Sequence, residues 1–192
     1  MLYLASKSPR RRELLEQIQV DYQTLTVDTD ESVHTGEAAE AYVQRVALQK
    51  AQAGYVLQPQ GCVLGADTSV IYQQHILGKP VDKADAQRML QTLSGRTHQV
   101  MTAVAIVSAN QQLSQLNISQ VTFRVLANAE IQAYIETQEP MDKAGSYAVQ
   151  GLASIFIERI EGSYSGVMGL PLFETAQLLQ QVDASLLHWS KT

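Results

Sequence analysis

The residues best suited to chemistry lie near the start of the chain. A short apolar run, Leu2-Tyr3-Leu4-Ala5, leads into Ser6-Lys7-Ser8-Pro9-Arg10-Arg11-Arg12. Ser8 suits a helix N-cap and Pro9 the first helical position, so a helix begins here. Three arginines in its first turn oppose the helix dipole, which already places about half a positive charge at that end. Unpaired backbone N–H groups add to the mismatch. An anion resolves it, and phosphate is the usual guest at such a site, with arginine its best side-chain partner. Arg11 precedes Leu14, Leu15 and Ile18 by three, four and seven residues, which puts it on the inward face. Arg10 lies at the edge of that face. Arg12 falls near Glu16, on the solvent side. Replacing Arg11 by alanine is therefore expected to weaken anion binding and to leave the ligand-free protein as stable as before, or more so.

A second candidate is Gly65-Ala66-Asp67-Thr68, set between Leu64 and Val70-Ile71. Aspartate is depleted in strands, and an unpaired buried carboxylate is costly. Asp67 is either a strand-end carboxylate satisfied by backbone, or a base or metal ligand aimed at a ligand. Gly65 permits close approach of backbone or ligand. Lys79, in Gly78-Lys79-Pro80, and Lys50, late in a helix-like segment, gain meaning only if they converge on the arginines. Glu31, in the acidic loop Asp28-Thr29-Asp30-Glu31, completes a metal site with Asp67 or is solvated charge. Glycine-rich stretches follow at 142–151 and 162–171. They are tight turns or close contacts with a base or sugar. The Gln150 amide, donor and acceptor together, suits the edge of a pyrimidine. His34, His75, His98 and His188 lack metal-ligand spacing. No Gly-rich loop ending in Lys-Ser/Thr marks a P-loop enzyme.

These residues need a scaffold. Alternating or apolar runs predict strands at Leu2–Ala5, Tyr22–Val27, Cys62–Tyr72, His98–Ser108, Leu113–Leu126 and Ser154–Ile160. Helical spacing predicts Pro9–Ile18, Glu37–Tyr55, Lys83–Leu93, Ala129–Thr137 and Leu172–Val182. Asp82, with Asp85 three residues on, and Asn128 read as caps. Asn110-Gln111-Gln112 reads as a hairpin joining two long strands. The first two strands flank a helix as in a βαβ unit. The mixture predicts an α/β protein with a mixed, extended sheet. Leu186, Leu187 and Trp189 form a late apolar cluster for packing or an interface.

With 192 residues the chain is long enough for a real core, as one large domain or two small lobes. Its net charge of −5 and pI of about 5.3 argue against a general nucleic-acid binder, so the arginines form a local site in an acidic protein. Cys62 is the only cysteine, which points to no disulfide framework and a reducing compartment. No run approaches the ~18–20 apolar residues of a membrane span. The expected location is cytoplasmic.

Taken together, the motifs resemble the Maf-like nucleotide pyrophosphatases over nearly the whole chain, 1–192 as a single domain. The matching stretches are Ala5-Ser6-Lys7-Ser8-Pro9-Arg10-Arg11, Gly65-Ala66-Asp67-Thr68, Gly78-Lys79-Pro80, Leu93-Ser94-Gly95-Arg96-Thr97-His98, Asp142-Lys143-Ala144-Gly145, Gln150-Gly151 and Gly162-Ser163-Tyr164 through Gly169-Leu170-Pro171. The resemblance implies an elongated mixed β-sheet flanked by helices, two lobes around a cleft, similar to inosine-triphosphate pyrophosphatases, and commonly a homodimer. It implies hydrolysis of a nucleoside triphosphate to the monophosphate and pyrophosphate with a divalent cation, Mg²⁺ or Mn²⁺. By the same resemblance Asp67 falls on the proton acceptor. Ser6, Arg10, Arg11, Glu31, Lys50, Lys79 and Gln150 fall on positions linked to substrate or phosphate. Arg11, Thr68 and Gln150 together resemble the branch acting on dTTP and UTP. Ser146 and Ala148 depart from the Ala and Gly of that branch around Tyr147. The family is associated with removal of non-canonical nucleotides and with septum formation.

Joined to the residue-level reading, this gives an expected mechanism. Ser6 and Ser8 donate hydrogen bonds to the phosphates, and Arg10, Arg11, Lys50 and Lys79 neutralise them. Asp67 accepts a proton from water or holds the cation with Glu31. Two rivals stand beside it: a 7-methyl-GTP pyrophosphatase of the same family, and a nucleotide-binding regulator of division without turnover. A carboxylate beside phosphates argues against the pure binder.

Overall fold

The computed structural model describes residues 1–187; His188 and Trp189 lie outside the described residues. In chain order the elements are β1 (Leu2–Ala5), α1 (Pro9–Gln17), β2 (Tyr22–Leu25), α2 (Ala39–Leu57), β3 (Cys62–Tyr72), β4 (His75–Leu77) and α3 (Lys83–Leu93). They continue as β5 (Thr97–Val107), β6 (Gln112–Phe123), α4 (Asn128–Glu136), β7 (Ile157–Glu161), α5 (Tyr164–Met168) and α6 (Leu172–Asp183). The strands follow the order β2-β1-β3-β5-β6-β7, with β4 on β3. β1 pairs parallel with both β2 and β3, whereas β3/β4 and β6/β7 are antiparallel. The mixed α/β class expected from the sequence is the one observed.

The chain divides into two compact units, and β3, β5 and β6 each contribute to both. The first comprises Met1–Asp67, Thr102–Asn117 and the chain from Gly169 on. In it β1, α1 and β2 form a parallel βαβ unit, in register Leu2↔Tyr22 through Ala5↔Leu25. Leu2, Leu4, Leu14, Leu15, Val43, Val46 and Leu64 fill its core. Burying such side chains contributes roughly 1.5–3 kcal/mol each.

Two glycines govern how α2 lies on β3. A Cβ at Gly65 would meet the Ala47 carbonyl oxygen at 2.4 Å and the Ala51 nitrogen at 2.6 Å. A Cβ at Gly54 would meet Val63 Cγ1 at 2.7 Å. Val63, Gly65 and Asp67 share one face of β3, because side chains alternate along a strand. The helix backbone therefore presses onto that face where side chains are smallest. The approach foreseen at Gly65 is made by the protein's own backbone.

The second unit, Thr68–Met101 and Ile118–Met168, is built round an aromatic chain. Phe123 packs edge-on against His98, Tyr147 and Phe156, with centroids 5.1, 4.8 and 6.2 Å away, and Tyr134 continues it at 5.2 Å from Phe156. His98 is 2% exposed, and its Nε2 lies 2.8 Å from the Tyr147 hydroxyl. Burial pushes the His98 imidazole down to about 4, so it is neutral in the folded protein.

Several local expectations need correction. The Asp82 carboxylate does cap α3, accepting from the Asp85 N–H at 2.7 Å. Asn128, however, is the first residue of α4, and Ala127 is its N-cap. The Asn128 side chain accepts from Gln91 at 3.1 Å, while Glu130 reaches back to the Ala127 N–H at 3.0 Å. β2 stops at Leu25 rather than Val27. The stretch 162–166 holds more than a turn: Ser163 Oγ accepts from the Gly166 N–H at 3.0 Å and opens the short helix α5. β4 was not foreseen; three residues are too few for a periodic signal.

Candidate active site

The first unit brings five of the expected residues together: Ser6, Arg11, Glu31, Lys50 and Asp67. α1 starts where the sequence places it, after Ser8 and with Pro9 in its first turn, yet no side chain caps it. The Ser8 N–H instead donates to Ser6 Oγ at 3.2 Å. Arg11 Nη1 donates to the same oxygen at 3.2 Å, and Arg11 Nε donates to the Gly169 carbonyl at 2.8 Å. Ser6 Oγ thus accepts two hydrogen bonds and keeps its own proton to give. Desolvation by burial lowers the Arg11 pKa, while the negative charge of Asp67 opposes that shift and Arg10 adds to it. Arg10 is half-buried and Arg12 exposed, in line with the helical wheel.

The expectation that Arg11 contributes nothing to the ligand-free protein is corrected by these contacts. Its guanidinium ties the first helix to the turn before α6, 158 residues away in sequence. A backbone carbonyl has no side-chain signature, so the chain sequence offers no sign of this tie.

Asp67 is 7% exposed and is the last residue of the first unit's opening segment. Its carboxylate accepts from Lys50 Nζ at 2.8 Å. The same Nζ lies 2.8 Å from Glu31 Oε1. Lys50 lies between Ala47 and Ala51, the residues pressed onto Gly65, so the close helix–strand contact carries its ammonium to Asp67, two residues further along the same strand face. A buried ion pair is weak evidence of stability, because desolvation offsets most of the attraction.

Of the metal-site expectation, the structure shows Glu31 and Asp67 on either side of one ammonium. Among the described residues no group of three or more His, Cys, Asp or Glu is placed to hold a metal. The donors are two carboxylates and nothing softer. That set fits a hard cation such as Mg²⁺ or Mn²⁺, which is normally held by one or two carboxylates with phosphate oxygens and water completing its shell.

Thr68, Lys79 and Gln150 belong to the second unit. Thr68 follows Asp67 on β3 and is half-buried. Lys79 is exposed in a loop pinned by the Gly78 carbonyl, which accepts from the Gly145 N–H at 3.0 Å. Gly145 takes a φ of 66° against Val70, whose Cγ2 a Cβ would meet at 2.8 Å. Ser146 follows at φ 62° and donates to Met89 Sδ at 3.2 Å. Gln150 is exposed. The loop after it is held by Glu139, which accepts from the Leu152 N–H at 3.0 Å and from Tyr134 Oη at 2.9 Å.

Two residues absent from the sequence reading, Tyr42 and Arg45, grip the loop that carries Glu31. No sequence signal marks them, because the groups they meet in the loop are backbone carbonyls.

The family model described as "Maf-like protein" matches residues 1–182. A protein of Aromatoleum aromaticum named dTTP/UTP pyrophosphatase is 52% identical over 93% of this chain and 94% of its own. Proteins of the same name from Xanthomonas euvesicatoria and Shewanella oneidensis are 54% and 53% identical, over 96% and 94% of this chain and 100% and 97% of their own. Among solved structures, the Ham1 protein of Staphylococcus aureus is similar at a TM-score of 0.45 and 16% identity, over 66% of this chain and 72% of that one, too remote to inform function. With a family model matched over residues 1–182 and relatives 52–54% identical over nearly their full length, the chain belongs to the Maf-like family.

Proposed function

We propose that this protein hydrolyses dTTP and UTP to the nucleoside monophosphate and pyrophosphate. The observation that carries the reading is the buried Asp67 carboxylate held beside Lys50 and within the field of Arg11. A protein that merely bound phosphates would gain nothing from a buried negative charge there. The names of relatives more than 50% identical over nearly their full length support the pyrimidine substrates over 7-methyl-GTP.

In this mechanism the triphosphate lies at the start of α1, where Ser6 and Ser8 donate hydrogen bonds and Arg10 and Arg11 balance charge. Lys50 and Lys79 add cations, Thr68 adds a contact beside Asp67, and Gln150 reads the base edge. Asp67 takes the proton of a water as its oxygen bonds to the α-phosphorus and the bond to the bridging oxygen breaks. The cations stabilise the departing pyrophosphate. Glu31 and Asp67 would hold a divalent cation, whose chemistry when bound is to draw charge from phosphate oxygens and acidify or orient water. Lys50, now on both carboxylates, would then turn to the phosphates. Action as a cytoplasmic homodimer, with residues 1–192 working as a single domain, is part of the proposal. Among the described residues no helix is long and apolar enough to cross a membrane.

The test incubates purified protein with a panel of nucleoside triphosphates, with and without Mg²⁺ or Mn²⁺, and separates pyrophosphate from orthophosphate. Cation-dependent pyrophosphate from dTTP and UTP is expected. Release from 7-methyl-GTP alone would refute the substrate assignment. Orthophosphate would move attack to the γ-phosphorus, and tight binding without turnover would replace the enzyme with a regulator.

A further inference from the structure

The segment from Thr26 to Ala38, between β2 and α2, contains no helix or strand, and residues 30–36 are exposed. A carboxylate on such a loop ordinarily samples many positions, and freezing its side chain costs on the order of 1–2 kcal/mol. Glu31 nevertheless meets Lys50 Nζ at 2.8 Å although its side chain is 46% exposed. Something other than burial sets its place.

The contacts of the loop show what does. Tyr42 Oη donates to the Glu31 carbonyl at 2.9 Å. Arg45 Nη2 donates to the Ser32 carbonyl at 2.9 Å. Two consecutive peptide oxygens are thus held by side chains one turn apart on α2. Arg45 also forks onto Glu37, Nε to Oε1 at 2.6 Å and Nη2 to Oε2 at 2.8 Å, and Glu37 Oε2 accepts from the His34 N–H at 3.0 Å. Arg45 Nη1 donates to Gln49 at 3.1 Å, and its Cζ stands 5.5 Å from the centre of the Tyr42 ring.

Lys50 stands on the same helix, two turns beyond Tyr42. One rigid element therefore fixes both the ammonium and the loop that brings a carboxylate to it. We infer that Tyr42 and Arg45, the latter braced by Glu37, are positioning residues that hold Glu31 in register with Lys50 and Asp67 for the hydrolytic reaction. The inference rests on the proposed role of Glu31. It assigns no contact with substrate to Tyr42 or Arg45. Neither alternative geometry nor charge alone would serve: a phenylalanine at 42 keeps the ring and loses the donor, and a lysine at 45 keeps the charge and loses the fork.

The experiment measures kcat and KM for dTTP hydrolysis in Tyr42→Phe, Arg45→Lys and Glu31→Gln, and in each of the first two combined with Glu31→Gln, together with the melting temperature of every variant. Misplacement of a reacting group by about 1 Å can cost on the order of a hundredfold. Tyr42→Phe and Arg45→Lys are each expected to lower kcat/KM about tenfold or more in the parent and less than about twofold in the Glu31→Gln background, because they act through the same group. Equal losses in both backgrounds, following the melting temperature, would overturn the inference and leave a purely structural clamp. Wild-type kinetics for Tyr42→Phe and Arg45→Lys, with Glu31→Gln impaired, would overturn it while sparing the role of Glu31. Wild-type kinetics for Glu31→Gln alone would remove that role, and the inference with it.

Discussion

Replacing Arg11 by alanine sets two physical effects of opposite sign against each other. Relief of a positive charge at a helix N-terminus returns about 0.3–1 kcal/mol, with a further small gain from lost repulsion by Arg10. Against this stand the hydrogen bonds to the Gly169 carbonyl at 2.8 Å and to Ser6 Oγ at 3.2 Å. A bond from a charged donor contributes about 1.5–3 kcal/mol, and the longer one counts for less. Asp67 also loses a favourable charge in its surroundings. The balance is a loss of about 2 kcal/mol. For a chain of this length each kcal/mol moves the melting temperature by about 2–4 °C, so Arg11→Ala in the ligand-free protein should melt about 4–8 °C lower. Arg11→Lys separates the causes. It keeps the charge but lacks a fork to reach both acceptors, so it should melt close to the alanine variant. Differential scanning calorimetry without ligand gives the stability, and calorimetric titration with a non-hydrolysable dTTP analogue gives the affinity, expected to fall at least about tenfold with loss of one charged contact to phosphate. An alanine variant that melts at or above the parent, with lysine unchanged, would refute the tether and restore the view of Arg11 as an unrewarded charge.

Three further outcomes are expected. Asp67→Asn should lower turnover by about 10²–10⁴-fold, the usual contribution of a positioned base, while melting within a few degrees of the parent because Lys50 keeps Glu31 at 2.8 Å; parental turnover would remove Asp67 from the reaction. Gly65→Ala places a methyl 2.4 Å from the Ala47 carbonyl oxygen, so α2 must lift; a loss of about 3 kcal/mol is expected with a fall in turnover as Lys50 leaves Asp67, and a variant with unchanged melting would contradict the packing described. For His98 the folded value of about 4 lies below the ordinary 6.5, so only the unfolded chain takes up a proton between them. Stability should be full above pH 6.5 and drop toward pH 4 by about 3 kcal/mol, at roughly 1.4 kcal/mol per unit, and denaturant titrations of His98→Phe should lack that slope.

How far the sequence reveals this site depends on the range of each interaction. The start of α1 is local chemistry, a capping residue and then proline, and it was legible. So was Asp67, because a carboxylate inside an apolar strand is conspicuous. The meeting of Lys50 with Asp67 was not, since it depends on a helix pressed, at Ala47 and Ala51, onto Gly65 rather than on either charged residue. The Gly169 carbonyl gives no clue in the sequence at all. Asn128 misled by one position because its amide had a partner on α3 that a local reading does not contain. Tyr42 and Arg45 carry no local signal; their importance comes from the carbonyls they meet, not from their own pattern.

The contact between Arg11 and Gly169 also bears on how the protein is made. Synthesis delivers Arg11 almost at once and its carbonyl partner only after 157 intervening residues, since the two positions differ by 158. The chain meanwhile passes between the two units at Asp67–Thr68, Met101–Thr102, Asn117–Ile118 and Met168–Gly169. A ribosome stalled before the last crossing, or a gene cut there, therefore yields a product in which Arg11 lacks the Gly169 carbonyl and keeps its bond to Ser6 Oγ. The tie between the first helix and the turn before α6 therefore closes late in synthesis, after both units have been almost fully made.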